Sequence, residues 1–204
     1  MSQPLPSRVE LLRGADLVPS PWKNGNGVTR EIVAFPQAGA SLSTFAWRAS
    51  LADIAQDGPF SRFADIDRTL VLASGAGLLI DEARVAEPTS RLSHALALTG
   101  DAVCFGGESA VDARLVDGPV SVFNLMVLRG AVRGGLQIWR EAGRRTVAAQ
   151  TVLLHAAQGP LEVNVAGAGF VGLATGDTLR VDSACAVPIE SLGDGVLLVV
   201  ALDT

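Results

Sequence analysis

The feature that most constrains this chain is a near absence of helical periodicity combined with a dense series of short strand-like runs. "GVTREIVAF", "TLVLASG", "AGLLID", "AVCFGG", "VSVFNLMVLR", "TVLLHAA", "LEVNVAG", "TLRVDS" and "GVLLVVALD" follow one another with Gly, Asp or Pro between them. Many short strands at close spacing specify an all-β sandwich or barrel. Two stretches read differently. "SRVELLRGADL" fits a short helix or a strand, and "SLADIAQDG" (Ser50–Gly58) fits one helical turn.

The chain has 204 residues, 49% of them hydrophobic, so a substantial core is available. Its formal net charge is −5, with both signs scattered, and no basic stripe suggests nucleic acid. Mean hydropathy is +0.36. The longest apolar run, Val196–Leu202, is nevertheless far below the roughly 18 residues of a membrane-crossing helix. The N-terminal "MSQPLPSRVELLRG" lacks an apolar core segment, so no signal peptide is expected. Cys104 and Cys185 each lie in apolar stretches and read as two buried, reduced thiols. A cytoplasmic location is the expectation.

Internal echoes suggest a duplication. "DGPFSRF" (Asp57–Phe63) returns as "DGPVSVF" (Asp117–Phe123). "LVLASGAGLLI" (Leu70–Ile80) returns as "VNVAGAGFVGL" (Val163–Leu173), and "LALTGDAVCF" (Leu96–Phe105) as "LATGDTLRVD" (Leu173–Asp182). The Gly-Asp turns read as two-residue hairpins. Two barrels or sandwiches packed together are expected, joined near Asp112–Pro119.

The supply of catalytic groups is thin. His94 and His155 are the only histidines, each isolated, and no nucleophile elbow, phosphate loop or His-x-His pair occurs. No metal and no cofactor is expected. What stands out is arginine inside apolar strands. Strict alternation in "GVTREIVAF" puts Arg30 with Val28, Ile32 and Ala34 on one face, and Thr29 with Glu31 and Val33 on the other. In "STFAWRAS", Arg48 and Ser50 oppose Phe45, Trp47 and Ala49. "DIDRTLVL" adds Asp67 and Arg68 at a strand entrance, and "FNLMVLR" aligns Asn124 with Met126. A guanidinium at a strand centre must meet a carboxylate of the protein, water or an anionic ligand. Either internal ion pairs account for these arginines, or a barrel mouth holds a small carboxylate on an Arg fork, with Trp22 or Trp47 as a wall.

"PWKNGNGVTREI", "FAWRASLADIAQDGPFSRFADIDRTLVLASGAGLLI" and "GPVSVFNLMVLR" resemble the three motif blocks of the HutD/Ves family. Those blocks read approximately P-W-K-N-G-G-G-x-T-R-E-I, F-x-W-R-x-S-x-A-x-V-x-x-D-G-P-F-S-x-F-P-G-x-D-R and G-P-x-x-D-F-N-L-M. The resemblance implies a bicupin: two RmlC-like jelly-roll barrels, or double-stranded β-helices, packed into a single compact unit over residues 1–204. The halves are 1–112, with the site, and 113–204, expected to be structural because its "LEVNVAGAGFVGL" stretch carries no strand-centre arginine. Position by position, the implied ligand-binding residues are Trp22, Lys23, Asn24, Thr29, Arg30, Glu31, Trp47, Arg48, Ser50, Asp67, Arg68, Asn124 and Met126. Three departures stand out. Asn26 replaces a turn glycine and is expected to tolerate positive φ, "FADIDR" replaces F-P-G-x-D-R, and Val122 replaces an Asp.

The family connection implies a regulatory role in histidine utilisation, by binding an intermediate such as urocanate or formylglutamate and without catalysis; another branch is associated with stress or cold response. The expected partner is a small anionic metabolite. The alternatives are a metal-independent isomerase or epimerase with Glu31, Asp67 or a histidine as base, and a protein-interaction module, a homodimer being one form of partnership.

Overall fold

The computed structural model describes residues 6–36, 45–86, 89–183 and 186–204. In chain order the strands are β1 (Arg8–Leu12), β2 (Pro19–Pro21), β3 (Gly27–Phe35), β4 (Trp47–Ile54), β5 (Gly58–Pro59), β6 (Ile66–Ser74), β7 (Leu78–Ala83), β8 (Arg91–Leu96), β9 (Ala102–Gly106) and β10 (Ala110–Leu115). There follow β11 (Val120–Leu128), β12 (Arg133–Trp139), β13 (Gly143–Val147), β14 (Thr151–Gln158), β15 (Leu161–Val165), β16 (Phe170–Leu173), β17 (Thr178–Asp182), β18 (Val187–Leu192) and β19 (Val196–Asp203). Among the described residues the helical element is a single 3-10 turn, Gly14–Asp16, and no helix is long and apolar enough to cross a membrane.

The chain divides into two compact units. One is Leu17–Val132; the other is Arg133–Thr204 together with the N-terminal segment through Asp16. In the first unit a six-stranded antiparallel sheet, ordered β2-β3-β4-β11-β6-β9, faces a four-stranded sheet, ordered β5-β10-β7-β8. Leu70, Leu72 and Val122 of the larger sheet share one core with Leu78, Ile80 and Val111 of the smaller. The second unit pairs a five-stranded sheet, β1-β17-β14-β19-β12, with a four-stranded one, β13-β18-β15-β16. Its core joins Val152, Leu154, Leu179 and Val199 to Val163, Val187 and Ile189. Each large apolar side chain buried this way contributes about 1.5–3 kcal/mol.

The duplication is visible in the hydrogen bonds. The order β4-β11-β6-β9 is repeated as β12-β19-β14-β17, and β5-β10-β7-β8 as β13-β18-β15-β16. Leu72 N donates to Asp101 O and Gly100 N to Leu72 O; Ala156 N donates to Asp177 O and Gly176 N to Ala156 O. Gly100 and Gly176 have φ of 90° and 91°, a region in which a side chain would be strained. Both units also carry a register irregularity at the same place, beside Val122 in one and beside Ala156 in the other. The chain is therefore a bicupin, two jelly-roll barrels of common topology.

Several expectations give way here. The join lies near Val132, not at residues 112–113: β10 runs through the expected boundary, and "DGPVSVF" leads into β11, the strand between β4 and β6. "SLADIAQDG" begins inside β4 and forms no helical turn, because its apolar residues are held in the ladder between β3 and β11. The first candidate helix is β1 followed by the 3-10 turn. The Gly-Asp segments are not hairpins: β8 and β9 lie in different sheets, as do β16 and β17, so each turn carries the chain between sheets. Only that echo joins equivalent places. The Gly-x-Gly of Ser74–Gly77 links β6 to β7 across two sheets, whereas Ala166–Gly169 closes the β15–β16 hairpin.

Candidate functional site

A cavity of about 610 Å³ lies in the first barrel over the inner face of its larger sheet. Register fixes the floor. Arg48 on β4, Met126 on β11 and Arg68 on β6 are directly opposed and form one row; Ser50, Asn124 and Leu70 form the next; Ala52, Val122 and Leu72 form a third. Opposed residues of a sheet share a face. The first two rows bring the polar groups together, while Ala52, Ile54, Leu70 and Val122 make an apolar stretch of wall.

Arg68 is the exceptional group. Only 7% of it is exposed, and among the described residues it has no carboxylate partner. Nη1 donates to the Ser61 carbonyl at 3.3 Å and Nη2 to Asn124 Oδ1 at 3.3 Å, both neutral acceptors, while the buried Nε has no partner. The guanidinium carbon sits 5.3, 5.7 and 5.0 Å from the ring centroids of Phe60, Phe63 and Phe105, a cation–π enclosure. Burial, with Arg48 nearby, lowers its pKa to about 10, which leaves it cationic at neutral pH. Arg48 differs: its Nε donates to Glu31 Oε2 at 2.7 Å. Lys23, Arg48, Arg62 and Arg68 line the cavity, and among the described residues no carboxylate or imidazole does.

Two segments make the walls. Residues 22–27 form a hairpin turn between β2 and β3, with Trp22 N donating to Gly27 O and Gly25 N to Trp22 O. Gly25 supplies the positive φ of 74°, so Asn26 does not occupy the left-handed region expected of it. The Asn26 carbonyl instead accepts from Ala55 N, and Asn26 N donates to Asn24 Oδ1. Gly27 has no room for a side chain, since a Cβ there would lie 2.5 Å from Asp53 O. Trp22 Nε1 donates to Thr29 Oγ1 at 2.7 Å, and its ring meets Phe60 edge-on at 6.4 Å. The facing wall is Pro59–Phe63, held by Phe60 N donating to Val111 O and Phe63 N to Gly107 O.

Of the thirteen expected residues, Trp22, Lys23, Asn24, Thr29, Arg48, Arg68, Asn124 and Met126 line the cavity. Glu31 and Ser50 lie beside it. Glu31 is bound to Arg48, and Ser50 is fully buried in the Asn124 row with its Oγ unpartnered. Three fall elsewhere. Arg30 stands opposite Leu51 on the other face of the sheet and pairs with Asp53. Trp47 shares that outer face and stacks on Phe35 at 6.0 Å. Asp67 opposes Val127, away from Arg68, and binds Arg129 at 2.7 Å. A register irregularity between Glu31 and Val33 also breaks the strict alternation expected of β3, so Ala34, not Val33, opposes Arg48. Phe60, Ser61, Arg62 and Phe63, outside the expected set, also line the cavity, and Phe105 covers Arg68; the sequence signal for most of them is the "DGPFSRF" segment itself.

The second barrel does contain a strand arginine, contrary to expectation, but Arg180 Nε is met by Asp182 at 3.1 Å. His155 is buried against Thr178 Oγ1 at 2.9 Å, and burial lowers its pKa to about 4, with Asp177 opposing. His94 is half-buried, with Nε2 3.9 Å from Glu82 Oε2. Cys104 is exposed, not buried, because it occupies an outward position on edge strand β9; Cys185 lies outside the described residues. Among the described residues, no cluster of three or more His, Cys, Asp or Glu is placed to hold a metal.

Comparison with known proteins places this geometry among relatives. An uncharacterised 21.2 kDa protein of Pseudomonas putida, from the 3′ region of hutC, is 38% identical over 178 residues, covering 86% of this chain and 88% of its own. A conserved protein of unknown function from Pseudomonas aeruginosa PAO1 superposes with a TM-score of 0.84 at 29% identity, over 97% of this chain and all of that one. HutD from Pseudomonas fluorescens SBW25, solved in a formate condition, gives 0.78 at 32% identity, over 96% and 98%. The HutD family profile matches residues 14–199, and the chain belongs to the HutD family.

Proposed function

We propose that the first barrel binds a small carboxylate metabolite and that the protein acts by holding this ligand rather than by transforming it. The observation that carries the reading is Arg68, a buried guanidinium opening onto a cavity where no carboxylate among the described residues balances it. A buried charge left uncompensated costs several kcal/mol, and an anionic ligand removes that cost. The acid–base alternative lacks a base on the cavity wall among the described residues: Asp67 faces away and Glu31 is engaged by Arg48.

Membership of the HutD family, with a relative encoded beside hutC, supports a regulatory role in histidine utilisation. Urocanate and formylglutamate are the first ligands to try, and the reading goes with a cytoplasmic location. The structure of HutD from P. fluorescens in a formate condition makes formate a natural minimal probe. Calorimetry with all three, on the wild type and on Arg68→Met, tests the reading. Binding of at least one, lost in the variant, is expected. At 100 times its dissociation constant such a ligand stabilises the fold by about 2.7 kcal/mol. No heat and no thermal shift with any small carboxylate overturns the reading.

A further inference from the structure

The distribution of charge within the cavity narrows the ligand class, on the basis of the carboxylate-binding reading above. We infer that the site takes a monocarboxylate with an apolar body, its carboxylate at Arg68 and its body along Ala52, Ile54 and Val122.

The cavity's buried charge is unbalanced by one. Arg48 is bound to Glu31, whereas Arg68 donates only to the neutral oxygens of Ser61 and Asn124. Two buried polar atoms of this floor, Arg68 Nε and Ser50 Oγ, have no partner among the described residues, and they belong to adjacent rows at the same end. One anionic group satisfies that end. From Arg48 to Ala52 the floor advances four residues, about 13 Å at the rise of a β-strand. There it is made of Ala52, Ile54 and Val122, all buried and none able to donate a side-chain hydrogen bond. Thr29, opposite Ala52, adds one hydroxyl whose oxygen accepts from Trp22 Nε1; a second carboxylate seated there would meet that single neutral donor and no buried charge, too little to offset its desolvation. Lys23 and Arg62 also border the cavity, but both are exposed, and exposed ion pairs contribute little. Trp22 and Phe60, meeting edge-on, add aromatic wall suited to hydrocarbon or an aryl group.

The test compares matched ligands on the full chain by calorimetry: pentanoate and glutarate, which differ by a terminal carboxylate, and cinnamate as a flat aryl acid. Pentanoate and cinnamate are expected to bind at least ten-fold more tightly than glutarate. Glutarate binding as well or better overturns this inference and leaves the carboxylate reading standing; silence from all three overturns the inference, and removes the carboxylate reading too when urocanate, formylglutamate and formate are also silent. A second measurement uses Glu31→Gln, which frees Arg48 by a near-isosteric change at a half-exposed side chain. It is expected to raise glutarate affinity several-fold relative to pentanoate. An unchanged ratio shows that Glu31 does not limit the site to one anionic group, and the inference fails.

Discussion

The two barrels share strand order, register irregularity and sheet-crossing turns, yet one encloses a cavity with an unbalanced charge and the other is filled with hydrocarbon. Aligning them on the Leu72/Ala156 hydrogen bonds shows where they part. Arg68 corresponds to Val152, Asn124 to Val199 and Ala52 to Trp139. The small Ala52 leaves space on the floor; Trp139, 6% exposed, occupies the same place in the second core with its Nε1 donating to Gln137. Arginine and space therefore occur together in one barrel, and valine and tryptophan in the other. In this scaffold a site is made by a few inward positions on the larger sheet, while the ladder beneath them is indifferent to their identity.

Four experiments can break or sharpen that contrast. The largest effect is expected from Val152→Arg, which writes the first barrel's charge into the filled one. Set among the buried apolar side chains around Val152, it should cost about 3–5 kcal/mol in denaturant unfolding; tolerance would mean the second interior can open. Next comes pH. His155 has its pKa lowered to about 4 by burial, so the unfolded chain binds the proton first. Stability should be complete above the ordinary value near 6.5 and fall by up to about 3 kcal/mol as pH drops toward 4, with His155→Gln flattening that slope. Third, Arg68→Met should weaken carboxylate binding by about 10- to 100-fold, from the loss of charge-assisted hydrogen bonds, while the empty protein becomes no less stable. The smallest change in stability, within about 1.5 kcal/mol, is expected for Ala52→Leu, which moves the floor toward the packing of the other barrel. It should reduce affinity for pentanoate; unchanged affinity would show that the ligand body does not lie there.

How much of this could be read in the sequence depended on whether a property was local. Alternation and turn residues revealed the strands and the all-β class, and the "LTGD" and "ATGD" turns truly mark equivalent corners. The pairing of charges was not local. Arg30 and Arg68 look alike in their runs, but Asp53 reaches the first from the neighbouring strand while the second meets the neutral oxygens of Ser61 and Asn124 and aromatic rings. Choosing between them requires the register of β3 on β4, and an irregularity beyond Glu31 shifts that register. Phe60 and Phe63 were in plain view within a quoted motif, yet only the closing of a loop against Val111 and Gly107 turns them toward Arg68. Arg180 was overlooked because the expectation for its barrel was drawn from a different stretch.

Strand β1 has a consequence for how the polypeptide is made. Arg8–Leu12 lies antiparallel to Thr178–Asp182, and Ser7 Oγ reaches the Asp182 carbonyl across 175 residues of sequence. A ribosome therefore releases this ribbon before any of the first barrel and supplies its mate only after all of that barrel, so its edge must wait unzipped until then. Contacts of such long range are slow to form. Clipping those few early residues should leave the ligand-holding half intact while loosening the other.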